Sequence, residues 1–281
     1  MHLKVIACKA LLRETCSFVA QSEHTIDVEF FGFAFHDEPG KLRNEVQRRV
    51  DASEGYDAIA LAMGLCGNGS AGLIARSTPL VIPRVDDCIV LLLGSRQRYD
   101  SDHSANPGTY YFPSGWLERM GPNGEKAEDF SKEGLRRIRA DYVTRFGEEN
   151  ADYLLSVLHS WKSSYSRGCL IDSGLVTQRR LRLLAEQARE IAESNGWRYD
   201  ELPGDPHLVR KLVQGEWPVE DFLIVPPGAR IEPAYDGSTV TASALGSNSS
   251  DSEEIRSPSR VFIPTRELRR SPKRTSSSSG V

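Results

Sequence analysis

Three short runs, LKVIA (3–7), DAIALA (57–62) and PLVIP (79–83), are apolar at nearly every position instead of alternating with polar residues. A strand with one wet face alternates, whereas a strand apolar throughout is covered on both faces, as in a parallel sheet flanked by helices. DVEFF (27–31) and the helix-like stretches around 9–20, KLRNEVQRRV (41–50) and DDCIVLLLG (86–94) fall between and after these runs. The N-terminal part is therefore predicted to be a repeated βα unit.

Beyond it, residues 96–126 are rich in Gly, Pro, Ser and aromatics with little periodicity, which predicts a long functional loop or lid. Helical stretches follow to about Trp161, then GCLIDSG (168–174) predicts a strand ending in a turn. Leu181, Leu184, Ala185, Ala188, Ile191 and Ala192 share one helical face, and Gly196 can supply a left-handed C-cap. WRYDEL, HLVRKLVQG and DFLIVPPG complete a β, α, β series. The fold expected is α/β: two Rossmann-like βα lobes with mainly parallel sheets and an interlobe cleft. Its boundaries are an N-terminal lobe over 1–100, lid and connecting helices over 101–165, a second lobe over 166–230 and a tail over 231–281. The tail is dense in Ser, Arg and Glu, so disorder is expected there, with SPSR and SPKR as candidate phosphorylation or partner segments.

A net charge of −4 leaves no basic footprint for nucleic acid. The N-terminal apolar stretch is too short to span a bilayer and Lys4, Lys9 and Arg13 interrupt it, so neither membrane nor export is expected and the location predicted is cytoplasmic. In a reducing compartment the five cysteines are not expected to form disulfides, which leaves burial, metal ligation or catalysis.

Cys8, Cys66 and Cys88 each sit just past an apolar run, and ligands of open α/β sheets gather outside the carboxyl ends of the strands. Three thiols at one edge predict a metal centre, zinc or an iron–sulfur cluster, with His36 or an outside ligand completing it. Each cysteine alone is equally a buried core residue, and no local CxxC box supports the set. Cys16 and Cys169 are expected in the core. Cys88 near a helix N-terminus is expected to have a lowered thiol pKa.

GLCGNGSAGL (64–73) follows a predicted strand, and its amides at Gly67, Asn68 and Gly69 are candidates to bind an anionic substrate or cofactor. It lacks a Walker lysine and the dinucleotide spacing, so no nucleotide motif is assigned. Arg84, Asp86 and Asp172 are the candidate catalytic groups, although Asp86 or Asp87 equally suits a helix cap. Tyr110, Tyr111 and Trp116 in NPGTYYFPSGW would cover a flat cofactor or anchor the loop to the core.

The combination ACKAL, LAMGLCGNG, VIPRVDDCIVLLLGS, GTYYFPSGW, LIDSGL and FLIVPPG resembles a prokaryotic family known as domain of unknown function sixteen-thirty-eight, over about residues 1–230. The resemblance marks Cys8, Cys66 to Gly69, Arg84 to Cys88 and Tyr110 to Trp116 as the matching motifs. It also implies an association with corrinoid-dependent methyl-transfer systems and one-carbon metabolism. The expected function is thus a metalloprotein acting in methyl or one-carbon transfer. The alternatives are a non-enzymatic accessory protein that binds a corrinoid or metallocofactor for a methyltransferase, and a small-molecule binding module with structural cysteines.

Overall fold

A computed structural model of the chain describes residues 1–32, 38–119, 132–158 and 160–246. The apolar runs become β1 (His2–Cys8), β3 (Ala58–Ala62) and β4 (Leu80–Pro83), joined by β2 (Thr25–Phe31) in one sheet. Its order is β2-β1-β3-β4-β8, with β8 (Phe222–Val225) antiparallel to β4 and every other pair parallel. Both faces are covered, which is why alternation is missing from the sequence. Ile6, Ile59, Leu61 and Ile82 pack against Leu42, Val46 and Val50 of α2 (Pro39–Asp51). Leu3, Val5, Ala60 and Val81 pack against α3 (Cys88–Leu93) and α9 (His207–Val213).

The second sheet contains β5 (Thr109–Pro113), β6 (Arg167–Asp172) and β7 (Arg198–Pro203), all parallel. α8 (Gln178–Ser194) lays Leu184, Ala188, Ile191 and Ala192 on Phe112, Leu170 and Trp197, and Gly196 takes φ +74° just past its end. The fold is therefore mixed α/β with mainly parallel sheets. Ile171, Tyr111 and Leu202 join the core under α3 and α9, so the two sheets share packing.

Several segments differ from the sequence expectation. Residues 95–119 hold α4 (Arg96–Ala105), β5 and the single turn α5 (Ser114–Leu117), so the expected lid contributes a strand of the second sheet. Tyr110, Tyr111 and Phe112 are good strand formers, and the surrounding Gly and Pro punctuate the strand. Residues 120–131 of that expected lid lie outside the described residues. β8 returns to the first sheet instead of closing the second. The expected tail from residue 231 begins with structure: β9 (Ala229–Pro233) and β10 (Val240–Ala244) form an antiparallel hairpin that buries Ala229, Ile231 and Val240. Residues 247–281 lie outside the described residues. Between β5 and β6 of the second sheet the chain forms α6 (Lys132–Phe146) and α7 (Glu148–Leu158).

The carboxyl edges of both sheets meet along one seam. After β1 the chain makes a 3-10 turn (Lys9–Leu11) and then α1 (Leu12–Val19). A Cβ at Gly115, one residue into α5, would collide with the Ala10 carbonyl oxygen. Ser173, after β6, donates its hydroxyl to Glu14 Oε1 at 2.5 Å. After β7, the Asp205 amide donates to the Leu92 carbonyl at the end of α3, at 2.7 Å.

Candidate functional site at the shared carboxyl edge

In the first sheet β1 lies between β2 and β3, so the chain leaves it in opposite directions and opens a switch point at its carboxyl end. Cys8 closes β1 there and is buried. Cys66 is brought alongside by backbone zipping of the loops after β3 and β4. The Leu65 amide donates to the Val85 carbonyl at 2.9 Å and the Cys66 amide to the Asp86 carbonyl at 2.7 Å. Gly64 permits this approach, since a Cβ would stand 2.7 Å from the Asp87 nitrogen and 2.8 Å from the Val85 oxygen. Cys66, Gly67 and Asn68 then run through φ of +50°, +60° and +69°, an unusual left-handed turn for the two non-glycine residues.

Cys88 begins α3 beside them. Burial pushes the Cys66 thiol up, with Cys8 and Asp87 adding to the rise. Burial likewise pushes Cys88 well up, reinforced by Asp87, Cys8 and Cys66. The three sulfur-bearing residues are thus electrostatic neighbours, and none is in a disulfide. The expected lowering at Cys88 is reversed for two reasons. Desolvation dominates, and Asp87 already occupies the short helix's amides, accepting from Ile89 at 2.8 Å and Val90 at 3.4 Å. Asp87 is itself raised by burial.

Among the described residues no group of three or more His, Cys, Asp or Glu side chains is arranged to hold a metal ion. His36, the expected fourth ligand, lies outside the described residues. Thiols are the kind of donor that zinc and iron–sulfur clusters take, but the described side chains of Cys8, Cys66 and Cys88 are not arranged around a common point as metal ligands.

Other predicted site residues are placed differently. Arg84 is a strut: its Nε donates to the Val219 carbonyl at 2.9 Å and its Nη1 to the Val240 carbonyl at 2.6 Å, tying β4 to β10. Asp86 is exposed and paired with Arg96, which also reaches Thr239. Asp172 stands across the seam at the end of β6, where its carboxylate accepts from the Gly174 amide at 2.9 Å. The Gly69 amide is spent on the Cys66 carbonyl at 3.0 Å, while Gly67 and Asn68 are exposed at the loop tip. Tyr110 is wedged among Phe112, Trp116, Tyr165 and Trp197 with ring centroids 5.1–5.7 Å apart. Tyr111 points to the opposite face and donates to Asp102 at 2.6 Å. Both tyrosines anchor β5, and Trp116 also packs beside the core containing Cys8 and Cys66. Cys169 is buried in β6, its thiol pushed up to about 12 by burial. Cys16, expected in the core, is exposed on α1.

Sequence reasoning missed the carboxylates of the seam. Glu14 is fully buried; Ser173 bonds one oxygen, and Oε2 has no hydrogen-bond partner among the described residues. Burial holds its carboxyl above the usual range against the opposing Ser173 bond. The signal was present, because Leu11, Glu14, Thr15 and Phe18 follow helical spacing on an otherwise apolar face. Next to it, Arg13 clamps Glu118 with bonds of 2.7 and 2.6 Å, and Arg180 adds a third at 3.1 Å.

The profile of the family described as "Protein of unknown function (DUF1638)" matches residues 30–213. The chain belongs to that family. The DUF1638 match contains Cys66, Cys88, Asp172 and the Tyr110 to Trp116 segment, and starts after Cys8. No curated protein matches this DUF1638 chain, and no solved structure does. Among the described residues no helix is long and apolar enough to cross a membrane.

Proposed function

We propose that this DUF1638 protein holds zinc or an iron–sulfur cluster through Cys8, Cys66 and Cys88 and acts in transfer of a methyl or other one-carbon group. The observation that carries the reading is the gathering of three cysteines from three different strand ends at the switch point of the first sheet. A soft, multi-thiol donor set suits such a centre, and neutral buried thiols release their protons when they ligate. A bound metal would supply Lewis-acid polarisation or activate a thiol or water.

The protein's own groups divide the remaining work. Gly64 holds the two cysteine-bearing loops together, and Trp116 shields the sulfur side from water. Across the seam, Asp172 is the polar group placed for a substrate, while the buried Glu14–Ser173 pair ties the two sheets together beneath it. The partner class is a corrinoid-dependent methyl-transfer system, the association that the family resemblance suggests.

The test is elemental analysis with a visible spectrum on untagged full-length protein purified without oxygen. Stoichiometric zinc, or iron with sulfide and a charge-transfer band, is expected. Cys8→Ser, Cys66→Ser and Cys88→Ser should each lower the content while Cys16→Ser keeps it. Equal content in all four variants overturns the site.

A further inference from the structure

The α6–α7 hairpin is two helices with an unfinished core. Among its described side chains only Ala151 is fully buried. Phe146, Tyr153 and Val157 are 43%, 67% and 51% exposed, and Ile138, Tyr142, Val143, Leu154 and Leu155 are half-buried. α6 packs chiefly on α7, and α7 on the 3-10 turn Ser160–Ser164. Helices of this length owe their stability to burying an apolar face, and among the described residues nothing beyond the hairpin itself and the turn at 160–164 covers much of this one.

Charge selects the partner. α6 carries Lys132, Arg136, Arg137, Arg139 and Arg145 against Glu133 and Asp141, a net +3, whereas α7 carries Glu148, Glu149 and Asp152 with no cation, a net −3. Within one chain this opposition already closes the hairpin, where Arg139 grips Asp152 at 2.7 and 3.0 Å. A uniformly acidic or basic partner would suit one helix and repel the other. A second hairpin related by a twofold axis sets α6 against α7 on both sides, as an isologous interface requires.

We propose that the α6–α7 hairpin is a dimerisation arm, whose partner is the same hairpin of a second copy of this chain, α6 of each facing α7 of the other in a four-helix bundle. Tyr153 and Val157, one helical turn apart, supply the apolar centre of the interface.

The test is light scattering and sedimentation of the full-length protein across a concentration series. A dimer is expected, with Y153E/V157E monomeric and its far-UV circular dichroism unchanged. Two further variants read the charge pattern directly. E148K/E149K makes both helices basic and R136E/R145E turns α6 acidic like α7, so each alone should dimerise at least tenfold more weakly and an equimolar mixture should recover a heterodimer. A wild-type monomer at every concentration overturns the proposal and leaves the face to a different protein. A dimer that survives Y153E/V157E, or a mixture that fails to pair, overturns it equally.

Discussion

The two sheets bring different chemistry to the edge they share. From the first come cysteines on loops locked by backbone hydrogen bonds, set in apolar surroundings that keep Cys66 and Cys88 protonated. The second contributes oxygen and charge that meet α1 of the first: Ser173 bonds the buried Glu14 of α1, and Glu118 sits between Arg13 of α1 and Arg180. Glu14 and Glu118 bear the contrast most sharply. Burial raises both, but only Glu118 has cations close enough to reverse the effect and hold it below the usual range. Arg13, adjacent to Glu14 in sequence, spends its guanidinium on Glu118 instead.

The largest effect expected is on the sulfur side. Gly64→Ala drives a methyl into backbone atoms of Val85 and Asp87 that cannot rotate away, and should cost about 3 kcal/mol in urea denaturation. Gly115→Ala makes the analogous collision where α5 meets Ala10. If the two edges are mechanically separate, it should leave the labelling rates of Cys66 and Cys88 unchanged while G64A speeds both.

Next comes the buried acid. Folded Glu14 retains a proton that the unfolded chain releases near pH 4.3, so its contribution to stability is greatest below that pH and falls as pH rises through the folded-state pKa. Glu14→Gln should abolish this loss and exceed the wild type by about 2 kcal/mol above that transition. Thermal midpoints from pH 4 to 9 would show it, and parallel curves for the two proteins would refute a neutral Glu14.

Glu118 should show the opposite slope. Its lowered pKa stabilises the fold above about pH 4.3 and that contribution fades as pH falls through the folded value. Because Arg13 and Arg180 are partly exposed, Glu118→Gln should cost only about 1 kcal/mol at pH 7, measured by urea midpoint. The smallest effect leaves stability untouched: iodoacetamide at pH 8 should label exposed Cys16 about tenfold faster than Cys66 or Cys88, as read by peptide mass mapping.

Much of this arrangement was legible in the sequence where one physical rule dominated. Uninterrupted apolar runs announced covered parallel strands, and three cysteines at their ends announced a sulfur-bearing edge. Legibility failed where tertiary partners decided the outcome. Tyr110 to Phe112 looked like a lid because Gly and Pro surround them, yet pairing with β6 made them a strand. The β9–β10 hairpin was hidden by its polar outer residues, with Ala229, Ile231, Val240 and, in part, Ala242 turned inward. Arg84 looked like an anion ligand until the carbonyls of Val219 and Val240, distant in sequence, claimed it. Cys88 was misjudged because a helix terminus is visible in sequence, whereas desolvation is a property of the folded neighbourhood.

The return of β8 to the first sheet sets the order in which this protein can be completed during synthesis. Leu223, Val225, Ile231 and Val240 belong to the same core as Cys8 and Cys66, although the whole second sheet is translated in between. The nascent chain therefore carries its cysteine edge with one wall missing until β8 and the hairpin leave the ribosome. The first sheet cannot finish folding as an N-terminal unit, and the sulfur-bearing residues remain reachable longest at the stage when the rest of the molecule is already in place.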